Sequence, residues 1–436
     1  MMSSGYCDGI SRRNVLQAGL AGTIGLSMPE LLRLQAQSAE QGVASRDTAV
    51  IFVELAGGPT QHETYDPKPD APQEYRGPLQ AIDTCLPGVQ FSEYMAEQAK
   101  IADKLVVLRG IHHRSSSHGT SSHLTQTGYY LRDARSRDND MPSIGSITSK
   151  LRGSNEPGIP SFVSMPRSMR FGRAAWLGKG YNPFETGRDA NTKNFTVPNL
   201  TLLSGLTPER LNDRRALLKG FDATRRTIDT QGVAKAMDRF TSDAFEMVAS
   251  GKARAAFDIT AESDAVRDKY GRNSSGQNCL LARRLVESGV TFVTLRVSSW
   301  DDHNGIAKRM QAKGPGYDQG VATLIQDLHE RGLDKKVMVV AMGEFGRTPR
   351  INKSAGRDHW GRVMSVMLAG GGLPGGTIIG SSDSNGSVPK DRPYRPESIL
   401  GVLYRHLGID PSMTMNDHSG RPRYVLENRE PIVELG

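Results

Sequence analysis

Six of the ten histidines fall in three short stretches: His112, His113, His118 and His123, then His303, then His359. Imidazole changes charge close to neutral pH and is the commonest protein ligand for metals, so such clustering points to proton transfer or metal chemistry. Any one of these residues alone is more often a satisfied polar group than a ligand. Neighbouring acids change that balance. Asp301 and His303 stand two apart in Trp300-Asp301-Asp302-His303. In an extended segment residues i and i+2 point the same way, so this carboxylate and imidazole can reach one ion. Asp358 directly precedes His359, and Glu344 sits in Gly343-Glu344-Phe345-Gly346. Around His118, the hydroxyls of Ser117, Thr120, Ser121 and Ser122 read either as nucleophiles or as helix caps and turn residues.

What must hold these residues in place is a set of strands. Val50-Ile-Phe-Val-Glu-Leu55 is a short apolar run ending in Ala56-Gly57-Gly58-Pro59. Three runs repeat the pattern: Leu105 to Ile111 before the His/Ser stretch, Val290 to Val297 before Trp300, and Val337 to Met342 before Glu344. Helical patterns over Leu280 to Glu287 and Gly320 to Glu330 precede two of them. Strands alternating with helices, with polar residues spilling from the carboxyl ends, predict an α/β fold with a mostly parallel sheet flanked by helices. Residues 202–272 are polar, helix-forming and without strand runs, and are read as a helical insertion. The glycine-rich Gly370 to Gly376 lacks nucleotide-loop spacing and reads as a sharp connection into a strand.

Composition bounds the function classes. A chain of 436 residues, 37% hydrophobic and 23% charged, can build one large domain around a real core, which excludes disorder. The formal charge of +8 is spread along the length with no nucleic-acid-binding signature, so anionic ligands are favoured and nucleic acid is set aside. Three cysteines, Cys7, Cys85 and Cys279, exclude a disulfide framework or zinc ribbon; Cys85 and Cys279 are read as buried, unlinked thiols. Ser11-Arg12-Arg13-Asn14-Val15-Leu16 precedes an apolar stretch to Met28 that is too short to span a bilayer unaided. It reads as a twin-arginine export signal, which predicts a leader over residues 1–38, an α/β domain over residues 46–436, no stable membrane span, and a periplasmic or extracellular location.

Several segments carry a family resemblance. Gly57-Gly-Pro-Thr-Gln-His-Glu-Thr-Tyr-Asp-Pro-Lys-Pro69, Trp300-Asp-Asp-His303, Gly343-Glu-Phe-Gly-Arg-Thr-Pro349, Asp358-His-Trp-Gly361 and Asp417-His-Ser-Gly-Arg-Pro422 are similar to the exported domain-of-unknown-function family 1501. That family resembles the alkaline phosphatase and sulfatase superfamily, which implies a metal-dependent hydrolase fold with its site at the strand carboxyl ends. Carried over by the resemblance, Asp301, His303 and His359 occupy metal-ligand places, and Glu344 stands where the superfamily has the Asp of an Asp-His pair. The partner position is Phe345, which cannot bind metal. The first strand ends in Ala56-Gly57 rather than an aspartate, which leaves Gln61, Glu63 or Asp66 as substitutes. In His118-Gly-Thr-Ser-Ser-His-Leu-Thr-Gln-Thr-Gly128 the place of the sulfatase's modified cysteine is taken by His118, which excludes a formylglycine nucleophile.

The combined expectation is an alkaline-phosphatase-like α/β domain holding one divalent ion through Asp301, His303, Glu344 and His359. Zinc or manganese is favoured by the two imidazoles, with calcium as a third candidate. His118 acts beside the ion as nucleophile, base or further ligand, Thr120 is an alternative nucleophile, and Arg347, Arg109 and Arg114 offer guanidinium groups to an oxyanion. The expected activity is hydrolysis of a sulfate or phosphate ester on an anionic small molecule or polysaccharide. The competing expectation is a catalytically silent, metal-containing protein that binds an anionic glycan or an envelope partner.

Overall fold

The computed structural model describes residues 47–198, 200 and 244–436, and Asp47–Gly436 forms one compact unit. The expected leader, and residues 202–243 of the expected insertion, lie outside the described residues. Eight strands make the main sheet: β1 (Ala49–Leu55), β2 (Leu105–Ile111), β3 (Phe162–Met165), β4 (Phe184–Glu185), β5 (Phe292–Val297), β6 (Val337–Met342), β7 (Met364–Gly370) and β8 (Thr377–Ile379). Their order is β8-β2-β7-β6-β1-β5-β3-β4. Every pairing is parallel except the two made by β7, which runs antiparallel to β2 and β6. The sheet is therefore mostly parallel, and the carboxyl ends of β1, β2, β5 and β6 share one edge.

Helices cover both faces. They are α1 (His118–Thr127), α2 (Ile144–Leu151), α3 (Ser274–Glu287), α4 (Ile306–Glu330) and α5 (Pro396–His406). All seven residues of β1 are buried, as a central parallel strand requires. Ile51, Val53 and Leu55 join one apolar cluster with Leu280, Leu281 and Leu324, while Val50 and Phe52 join a second with Ile399, Leu400 and Leu403. This double burial explains why the run carries no alternation. Asn273 caps α3 by accepting from the Gly276 amide at 3.0 Å. The described part of the expected insertion holds short helices, Lys252–Phe257 and Asp264–Tyr270, and no strand.

The glycine-rich stretch does join two strands, β7 and β8. Cys279 is buried and free, but Cys85 is free and exposed rather than buried, because it sits in a surface turn whose thiol faces Asp103. Among the described residues, no helix is long and apolar enough to cross a membrane.

Candidate metal centre

The loop after β5 places two side chains toward the sheet's carboxyl edge by anchoring the residues between them. Trp300 is fully buried, edge-on to the Tyr317 ring at 5.2 Å, and Asp302 is buried against the Lys313 ammonium. Asp301 and His303 alternate with these anchors and face outward. His359 arrives from the opposite direction, in a two-residue antiparallel ladder with Arg347 that leads into β7. The three side chains meet. His303 Nε2 lies 3.0 Å from Asp301 Oδ1, His359 Nε2 lies 3.1 Å from the same oxygen, and the two Nε2 atoms are 2.9 Å apart.

Tautomers make this triangle unusual. His303 Nδ1 is 2.7 Å from Asp358 Oδ1, and His359 Nδ1 is 3.0 Å from the Ser116 carbonyl oxygen. Both oxygens accept only, so each Nδ1 donates and each ring turns Nε2 inward, bare when the ring carries a single proton. In that form two imidazole lone pairs converge with a carboxylate oxygen, which also accepts from Arg347. Donors about 2.0–2.2 Å from one cation present a triangle of this size, so the residues fit a metal.

His118 is the first residue of α1, and His118, Asp301 and His359 offer ligand atoms within 4.8 Å of one another. Its Nδ1 is 2.7 Å from Glu344 Oε1, and its Nε2 is 3.4 Å from Asp301 Oδ2. The hydrogen bond with Glu344 raises its pKa above 6.5, against the opposing effect of burial. Burial lowers the pKa of His359, with Asp301 pulling the other way. Burial would raise the Asp301 carboxyl, but the hydrogen bond and charge of Arg347 outweigh it and hold the group well below the usual carboxylate range.

Several expected site residues sit differently from their expected roles. Glu344 reaches the site but not the triangle: its two oxygens accept from the Gly57 amide, both at 3.1 Å, and one also holds His118. Arg347 is fully buried and offers nothing to a substrate. Its guanidinium donates to the carbonyls of Gly57, Gly58, Trp300 and Arg357 and to Asp301 Oδ1 at 2.5 Å, so it ties three loops together. Thr120 is two residues beyond His118, about 200° round the helix, and lines no part of the adjoining cavity, whereas Ser122 does. Arg109 lies elsewhere, donating to the Gln90 carbonyl and facing Asp66.

The three residues offered in place of a first-strand aspartate are likewise engaged. Gln61 bonds the Arg347 backbone, Glu63 pairs with Arg357 at 2.8 Å, and Asp66 pairs with Lys68 at 2.9 Å. Gly57 itself adopts φ +116°, and a Cβ there would lie 2.4 Å from the Asp301 amide nitrogen. Close approach of the two loops leaves no room for a side chain. Phe345, fully buried, packs its ring 4.5 Å from His359 and 5.1 Å from His118.

Three residues escaped the sequence reading. A cavity of about 270 Å³ opens beside the triangle, lined by His118, Ser122, Asp301 and Glu344 and also by Glu54, Arg170 and Arg296. Burial, with Glu344 adding to it and Arg296 opposing, pushes the Glu54 carboxyl up to about 8. The available signal was a lone acid inside the apolar run Ala49-Val-Ile-Phe-Val-Glu-Leu55. His113 and His123 are structural. His113 holds the Glu344 carbonyl at 2.8 Å, with burial taking its pKa down to about 4. His123 bonds the backbone of Tyr129 and Asp140.

Among solved structures the fold is similar to the PsFucS1 sulfatase from Pseudoalteromonas sp., with 11% identity, 93% of this chain and 75% of that chain covered, and a TM-score of 0.41. It is also similar to alkaline phosphatase from the Antarctic bacterium TAB5, with 11% identity, 84% and 100% covered, and a TM-score of 0.38. A third is Ps i-CgsB in complex with k-i-k-neocarrahexaose, with 12% identity, 83% and 72% covered, and a TM-score of 0.39. No curated protein matches the sequence. A family profile described as protein of unknown function (DUF1501) matches residues 47–435, and the chain belongs to that family.

Proposed function

We propose that the chain binds one divalent cation through Asp301, His303 and His359 and hydrolyses a sulfate or phosphate ester beside it. The observation that carries this reading is the convergence of Asp301 Oδ1, His303 Nε2 and His359 Nε2 within 3.1 Å of one another. Two imidazoles and one carboxylate favour zinc or manganese. The bound ion would supply a Lewis acid for the ester oxygens and lower the pKa of water. The chain's own side chains do the remainder. Arg170 lines the cavity with no acid partner among the described residues, so its guanidinium is free to hold an oxyanion. His118, tied through Nδ1 to Glu344, carries its transferable proton on Nε2 and delivers it to the leaving oxygen. The substrate is an anionic small molecule or polysaccharide ester, met outside the cytoplasm if the leader acts as expected.

A second reading, metal-containing but catalytically silent recognition of an anionic glycan or envelope partner, is favoured by Gly57 and Phe345. Both close the space in which a further ligand set would stand. A screen of metal-loaded protein against aryl sulfates, phosphomonoesters and phosphodiesters separates the two. Turnover lost on His118→Ala supports hydrolysis. Retention of sulfated glycans with no turnover of any ester decides for binding.

A further inference from the structure

On β1 the stripe Val50, Phe52, Glu54 and on β5 the stripe Phe292, Thr294, Arg296 run side by side, and Glu54 and Arg296 are partners in the parallel register. Both stripes are buried up to this rung, where each turns charged. Beyond that rung the core gives way to the cavity beside His118 and Asp301. Glu54 is only 4% exposed, and its Oε2 has no hydrogen-bond partner among the described residues. Arg296 Nε stands 3.6 Å away, beyond hydrogen-bond distance, with its side chain 41% exposed. Leaving a buried polar atom unpaired costs stability that an apolar residue at this place would not. The pair is poorly explained by folding and well explained by a ligand that completes both groups.

We propose that Glu54 and Arg296 form a subsite for the alcohol portion of the ester, selecting an alcohol that carries a free hydroxyl for Glu54 and a second anionic group for Arg296. This rests on the hydrolase reading, since the subsite adjoins His118 and Asp301. The chemistry is that of an acidic sugar. The guanidinium takes the carboxylate in a charge-assisted pair, and the buried carboxyl, held neutral by its surroundings, exchanges hydrogen bonds with a hydroxyl. Ser298 and Ser299 line the same cavity and extend its polar wall.

The alcohol is what remains after hydrolysis, so binding tests the subsite without turnover. Glucuronate and glucose are titrated into the metal-loaded protein by calorimetry or ligand-observed NMR. The expected result is that glucuronate binds at least about tenfold more tightly than glucose. Arg296→Ala should erase that preference, and Glu54→Gln should weaken both sugars, with metal content and unfolding midpoint unchanged by Arg296→Ala. Equal binding of the two sugars by the wild-type protein, an undiminished preference in Arg296→Ala, or no binding of either sugar by metal-loaded protein would overturn the subsite. Failure of the hydrolase reading is seen separately, as absence of bound metal or of ester turnover.

Discussion

The Nε2 atoms of His303 and His359 face each other at 2.9 Å, each ring fixed by an acceptor on its far side. Two imidazoles that both present a bare Nε2 cannot hydrogen-bond to each other, and a cation seated between them satisfies both. One equivalent of zinc or manganese is therefore expected per chain. Elemental analysis should find the ion lost in His303→Ala and His359→Ala. Asp358→Asn, which removes the carboxylate behind His303, should weaken affinity roughly 10–100-fold.

Ion binding should stabilise the fold. At a free concentration about 100 times Kd the gain is about 2.7 kcal/mol. A chelator should lower Tm, and the difference should shrink in acid as the imidazoles protonate. A Tm indifferent to metal and chelator at neutral pH would argue against the site.

Arg347 should behave as a structural residue. Replacing it by Ala leaves four carbonyl groups and the Asp301 carboxylate short of their donor, a loss expected at about 3–5 kcal/mol. Lysine cannot restore the fan of contacts, so Arg347→Lys should also unfold at markedly lower denaturant. Normal stability with lost turnover would return the residue to a substrate-binding role.

The His118 and Glu344 pair should impose a pH dependence. A histidine whose folded pKa is raised contributes stability that is fully present below the unfolded value of 6.5 and is lost as pH rises through the folded value. In Glu344→Gln the difference in denaturant midpoint between about pH 5.5 and about pH 8 should narrow. An unchanged difference would mean that the hydrogen bond does not persist in solution.

Much of the framework was legible from residue order because β1, β2, β5 and β6 are apolar runs buried on both faces, ending abruptly in glycine and polar residues. The direction of β7 was not, since Met364-Ser-Val-Met-Leu-Ala-Gly370 has the same buried character as its parallel neighbours. Edge strands such as Phe184–Glu185 are too short to leave a pattern. At the site, residue type and two-residue spacing singled out Asp301 and His303, but the uses of Glu344 and Arg347 depend on contacts across 287 and 290 positions. Spacing carries no information about such pairs. Glu54 was passed over because its strand reads as core.

Gly57→Ala tests how tightly the loops are packed. With φ at +116° and the Asp301 amide 2.4 Å from the new carbon, the substitution should cost on the order of 1–3 kcal/mol. Denaturant unfolding measures the loss, and a neutral result would show that the loop after β5 can retreat.

The reversed course of β7 has a mechanical consequence. Asp301 and His303 follow β5, whereas His359 precedes β7, and β1 and β6 lie between those two strands in the sheet. An ion held by all three would add a rivet at the open edge between two segments that backbone hydrogen bonds already join, from the Arg357 amide to the Asp302 carbonyl and from the Ile306 amide to the Ala355 carbonyl. Pulling on that edge, or letting it fray, would then require the metal–nitrogen bonds to break together with those backbone bonds.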